Sequence, residues 1–181
     1  MTYESLTDQM KPKSNEEILK VISNLSDSKK IIAIIQYQYP YKLLPDNLIV
    51  KGDLCCTGKK ITYLPDNLII NGDLNCSFNL LTQLPKGLVV GGNLNLNSNK
   101  ITYLPDNLIV NKYLYCDNNE LTKLPKGLVV KESLYCRNNP LTELPDDLKV
   151  GNTLYCSETL IPTDYKKPNG VERIIFTNFD I

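Results

Sequence analysis

Residues 61–80 read ITYLPDNLIINGDLNCSFNL and residues 81–100 read LTQLPKGLVVGGNLNLNSNK, two twenty-residue lines that align position for position without a gap. The same line begins at Tyr41, Ile101, Leu121 and Leu141, giving six consecutive copies over 41–160 and a broken seventh from Ile161. Self-similarity this strict marks a solenoid, because one unit cannot bury its own apolar face and stacked neighbours complete a shared core. The chain therefore divides into a leading segment 1–40, the six copies 41–160, and a closing segment 161–181.

The pattern of one copy is LTxLPxxLxVxxxLxCxxN plus one variable residue. Six columns are apolar, and in the fourth copy they are Ile101, Leu104, Leu108, Val110, Leu114 and Cys116. Leu114 and Cys116 alternate with outward neighbours, the period-two signature of a strand with one buried face. Parallel strands from successive copies then lie about 4.8 Å apart, so six copies build a sheet roughly 25 to 30 Å long. Asn79, Asn99, Asn119 and Asn139 share the nineteenth column, where a side-chain amide offers donors and an acceptor to the turn after the strand. Proline recurs at Pro45, Pro65, Pro85, Pro105, Pro125 and Pro145. It removes the N–H that a helix interior needs, so the return leg is expected to be extended or made of short turns.

Composition narrows the class. Twenty basic and twenty acidic side chains cancel, leaving no global field to attract nucleic acid or an anionic membrane. No apolar run approaches the roughly 18 to 20 residues of a membrane-spanning helix, and MTYESLTDQMKPKS lacks the apolar core of a signal peptide. A cytoplasmic protein is expected. Cys56, Cys76, Cys116, Cys136 and Cys156 fall in one column with Leu96, and a place shared by Cys and Leu reads as core, so buried reduced thiols are expected rather than a disulfide framework. With no histidine in the chain, no Ser-His or Cys-His dyad can form, and neither a glycine-rich phosphate loop nor metal-ligand spacing occurs. No catalytic residue, metal or cofactor is expected. Cys55 stands outside the core column, but nothing basic is placed to lower its pKa.

Both ends read as caps. Ser14 and Glu17 have capping-box spacing ahead of Ile18, Leu19, Val21, Ile22 and Leu25, which predicts a helix over about 15–25. A β-rich run follows and suggests a strand over 31–37, with a second helix as the alternative. At the other end Ile174 and Phe176 stand one period after Leu154 and Cys156, predicting a final strand over 173–177, with Phe176 and Phe179 closing the core.

The segments LNCSFNLLTQLP, LYCDNNELTKLP and LYCRNNPLTELP resemble the leucine-rich repeat core LxLxxNxLxxLP, with cysteine in place of one leucine. The resemblance covers residues 41–160, and its twenty-residue LP form is similar to the short repeats of bacterial effectors and of bacteriophage and bacterial repeat proteins. It implies a mixed α/β, mostly β solenoid with a parallel sheet on the concave face, a non-helical extended back, an N-terminal helical cap and a C-terminal strand cap. It also implies a protein-binding, non-enzymatic module, an inhibitor or host-interaction factor, in the host cytoplasm if the source is viral.

Function is sought where the copies differ. The strand positions expected on the concave face are amide-rich in the early copies, with Asp53, Asp73 and Asn95 among them. The later ones line up Tyr115, Tyr135 and Tyr155, with Tyr113, Asp117 and Arg137 beside them. Tyrosine gives contact area at low rotamer entropy and a hydroxyl for a wet surface, so a protein partner is expected there; a ladder that only braces the sheet is the bland alternative. Asp53, Asp73 and Asp117 against Arg137 leave the face net negative by two, which disfavours a phosphate backbone. Stacked, Asp53 and Asp73 are either a solvated edge or a weak cation site. The ninth column, Ile49, Ile69, Val89, Ile109 and Val129, makes an aliphatic stripe on the back. Either it is a partly covered ladder, or it is a homo-oligomer interface of a structural, self-assembling solenoid.

Overall fold

The computed structural model describes residues 46–176, so the expected N-terminal helix, the 31–37 segment, Thr177 and Phe179 lie outside the described residues. Each copy contributes two short strands. The first of each pair comes from the ninth and tenth columns: β1 Ile49–Val50, β3 Ile69–Ile70, β5 Val89–Val90, β7 Ile109–Val110 and β9 Val129–Val130. The second comes from the fourteenth and fifteenth: β2 Leu54–Cys55, β4 Leu74–Asn75, β6 Leu94–Asn95, β8 Leu114–Tyr115 and β10 Leu134–Tyr135. In the sixth copy the two fuse into β11 Lys149–Tyr155, and β12 Val171–Ile175 closes the stack. No helix forms among the described residues.

All pairing is parallel, and corresponding residues of successive copies lie opposite one another. The long ladder runs Leu54, Leu74, Leu94, Leu114, Leu134, Leu154 and Ile174 without a slip. The short ladder is in two pieces, β1-β3-β5 and β7-β9-β11. The return leg, expected to be extended or made of short turns, thus pairs along the ninth column.

The core follows the six apolar columns. Leu54, Leu74, Leu114, Leu134 and Leu154 are fully buried, as are Cys56, Cys76, Cys116, Cys136 and Cys156 with Leu96 in the same column. The thiols act as small apolar groups with one weak donor: Cys116 Sγ lies 3.2 Å from the Tyr135 carbonyl and Cys136 Sγ 3.4 Å from that of Tyr155.

Buried asparagines join the copies. Asn119 Nδ2 donates to the carbonyls of Leu96 (3.0 Å), Cys116 (3.1 Å) and Asp117 (3.2 Å), and its Oδ1 accepts the N–H of Ile101 at 3.0 Å. Asn79, Asn99 and Asn139 repeat the arrangement. Among the described residues no buried side-chain nitrogen or oxygen lacks a partner, which is how a repeat turn can enter the core without an unpaired dipole. Left-handed backbone recurs at Asn47, Asn67, Gly87, Asn107 and Gly127 in the first five copies and at Gly58, Phe78, Ser98, Asn118, Asn138 and Glu158 in all six, with Lys60 in addition.

The closing strand begins two residues earlier than the expected 173–177, and its register sets Ile174 opposite Leu154 and Ile175 opposite Tyr155. Ile175 is buried, while Ile174 and Phe176 pack partly buried against the core. Tyr165 does what the sequence did not suggest: its hydroxyl donates to the Leu144 carbonyl (3.1 Å) and accepts the Leu144 N–H (3.3 Å). Tyr165→Phe should lower stability by about 1–2 kcal/mol in urea unfolding, the usual effect of stranding a partly buried pair.

Candidate functional site

The fifteenth column faces outward from the long ladder and carries Cys55, Asn75, Asn95, Tyr115, Tyr135 and Tyr155 in register. Strand spacing is close to the centroid separation of two stacked rings, so the tyrosines lie face on face. Tyr135 and Tyr155 have centroids 4.5 Å apart and planes 4° from parallel. Tyr115 and Tyr135 are 4.8 Å apart at 15°, and Tyr113 joins from the thirteenth column at 6.0 Å and 26°. All four are half-buried. Their faces are largely covered by one another, so the ladder presents ring edges and hydroxyls. Burial raises the pKa of Tyr115 and Tyr135, so these phenols stay protonated donors at neutral pH.

Arg137 lies over the same ladder. Its guanidinium carbon is 5.4 Å from the Tyr135 centroid and 5.7 Å from that of Tyr155, within cation–π range. Nη2 donates to Asp117 Oδ2 at 3.0 Å, and the Arg137 N–H donates to Asp117 Oδ1 at 2.7 Å. Asp117 itself donates its N–H to Asn97 Oδ1 at 2.8 Å. The arginine is thus fixed from below by a carboxylate and from the side by rings.

Several positions expected to be exposed are not. Asp117 is 7% exposed, and Ser77, Ser133, Thr153 and Ser157 are also buried, because copies stacked one strand spacing apart cover short side chains from both sides. Both Asp117 carboxylate oxygens are engaged by Arg137. Asn95 is half-buried, and its Oδ1 accepts the N–H of Asn97 at 3.1 Å.

The early acidic positions bond along the stack. Asp53 Oδ1 accepts the Asp73 N–H (2.8 Å), and Asp73 Oδ1 accepts the Asn93 N–H (2.7 Å). Glycine makes room for each: a Cβ at Gly72 would stand 2.0 Å from Asp53 Oδ1, and one at Gly92 equally close to Asp73 Oδ1. One oxygen of each carboxylate is thus committed to the next copy's backbone. No group of three His, Cys, Asp or Glu that could hold a metal ion occurs among the described residues. Cys55 is exposed, with Sγ 3.4 Å from Thr57 Oγ1.

On the back, Ile49, Val89 and Ile109 are more than half exposed, at 58%, 51% and 56%, whereas Ile69 and Val129 are half-buried. Large exposed apolar side chains also occur where the sequence drew no attention, at Phe78 and Leu160, each 66% exposed. For Phe78 the available signal was a bulky apolar residue in a column otherwise filled by small, polar or charged ones.

No family model matches the sequence, and no curated protein does. The chain is similar to three solved leucine-rich repeat structures. One is a Shigella effector domain, at 19% identity and TM-score 0.37, covering 96% of this chain and 94% of that one. Another is the Drosophila Toll–Spatzle complex, at 22% and 0.39, where 70% of this chain matches 24% of the other. The third is the leucine-rich effector YopM of Yersinia pestis, at 15% and 0.27, covering 95% of this chain and 69% of that one.

Proposed function

We propose that this solenoid is a protein-recognition module that binds a partner on its concave face through Tyr113, Tyr115, Tyr135, Tyr155 and Arg137. The observation that carries the reading is the stacked ladder with Arg137 held on it by Asp117. Side chains already ordered by their neighbours lose little rotamer freedom on binding, and tyrosine and arginine are the residue types that dominate binding hot spots. Ring faces turned on one another leave little room for bases to intercalate, and the strip lacks the basic groove that accompanies base stacking in single-strand binders. Hydroxyl edges beside a guanidinium suit the carbonyls and carboxylates of a protein surface.

Affinity capture compares the wild type with the Tyr115→Ala, Tyr135→Ala double variant, both checked by circular dichroism. Proteins bound by the wild type should bind the double variant about 100-fold or more weaker, two hot-spot residues being removed. Recovery of the same partners at undiminished affinity would sink the concave-face reading.

A further inference from the structure

We propose that two copies of this chain associate antiparallel along the ridge of turns that follows the long ladder, about a two-fold axis between the third and fourth copies. The ridge is the twentieth column, Lys60, Leu80, Lys100, Glu120, Pro140 and Leu160, with Phe78 beside it. The backbone spaces it evenly, since the N–H groups of Leu80, Lys100, Glu120 and Leu160 donate to the carbonyls of Ile61, Leu81, Ile101 and Leu141 at 2.8, 2.9, 3.0 and 2.8 Å.

Two independent features mark this ridge. Phe78 is 66% exposed and sits at φ +55°, the left-handed place that other copies fill with Gly58, Ser98, Asn118, Asn138 and Glu158. An exposed aromatic in a conformation that L side chains adopt only at steric expense is unfavourable twice over in the isolated chain. Leu80, 40% exposed, adjoins it, and Leu160, 66% exposed, stands four copies further along the same ridge. The charges are also segregated, with Lys60 and Lys100 in the first half of the column and Glu120 in the second.

Charge order chooses the occupant. Two ridges laid parallel in register would set lysine against lysine. Laid antiparallel about the axis between copies three and four, Lys100 faces Glu120 of the second copy, and Glu120 faces its Lys100. The same operation brings Phe78 and Leu80 against Pro140 of the second copy, and the aliphatic stem of Lys60 against its Leu160. One surface thus meets itself, which is the requirement of an isologous dimer.

Sedimentation of the full chain over a range of concentrations should show a monomer–dimer equilibrium. Lys100→Glu or Glu120→Lys alone sets like charges opposite each other twice and should weaken the dimer by about tenfold or more. The two reversals together regenerate both pairs and should restore it, while Phe78→Ser should weaken it with an unchanged circular dichroism spectrum. Ile109→Asp on the back stripe should leave it intact. A monomer at every concentration overturns the proposal, as does a dimer indifferent to the reversals or a double reversal no better than the singles. Loss of the dimer in Ile109→Asp would move the interface to the back. A monomer that floats with phosphatidylserine vesicles would assign Phe78 to a lipid surface instead.

Discussion

Asn119→Ala should remove about 3–6 kcal/mol of stability, a large share of what a domain of this size possesses. The amide bonds three carbonyls and one N–H, drawn from its own copy and the one before. Each buried backbone group left without a partner costs about 1–3 kcal/mol, and neighbouring asparagines relieve part of that. The loss should appear in urea unfolding as a lower midpoint, while Lys131→Ala, at an exposed position, stays within about 0.5 kcal/mol of the wild type. A loss below about 1 kcal/mol would mean that water replaces the amide in the turn, and the ladder would then be an ornament of the sequence rather than a joint between copies.

Raising the pH above 9 under reducing conditions should destabilise the protein steeply. Burial pushes Cys156 up to about 12 from an ordinary value of 9.0, and it raises Cys116 and Cys136 as well. Cys76 is raised as well, chiefly by its hydrogen bond with Cys56 and then by burial. In the unfolded chain these thiols ionise near 9, whereas the folded chain keeps their protons. Above pH 9 the unfolded state therefore binds fewer protons, and stability falls as pH rises. The contribution is fully present below pH 9 and is lost upward, the share of Cys156 being exhausted near 12. At about 1.4 kcal/mol per pH unit for a thiol ionised in the unfolded chain alone, Cys156 should remove about 1 kcal/mol between about pH 9.5 and 10.5, and Cys76, Cys116 and Cys136 add to the loss in the same direction. Urea midpoints across that range test this. Cys136→Val should flatten the slope, and a profile level to pH 10.5 would contradict burial of the thiol column.

What was legible beforehand was whatever one copy states in its own text. The period gave the solenoid, the column that Leu96 shares with five cysteines gave the thiol core, and Asn79, Asn99, Asn119 and Asn139 gave the turn bonds. What was not legible depends on the residue twenty places away. Asp117 looked exposed by strand alternation, but Asn97 and Arg137 cover it from the neighbouring copies. The tyrosines were visible as a column, while the covering of their faces depends on the strand spacing. Tyr165 escaped notice because its partner, Leu144, belongs to a copy already passed. Phe78 could be placed in a turn, yet its left-handed backbone is set by the copies stacked on either side.

The Asp53 carboxylate accepts the Asp73 N–H over Gly72, and the Asp73 carboxylate accepts the Asn93 N–H over Gly92, which gives the copies a word order. An aspartate at that place dictates what can follow it: only a copy with glycine two residues before its second strand fits on top. Lys112 or Glu132 in that place would bring a side chain into the carboxylate. The six lines look interchangeable when written one beneath another, but they obey a grammar. A shuffled solenoid would keep every core leucine and still clash at its joints, so the array can be lengthened or rearranged only by moving matched neighbours together.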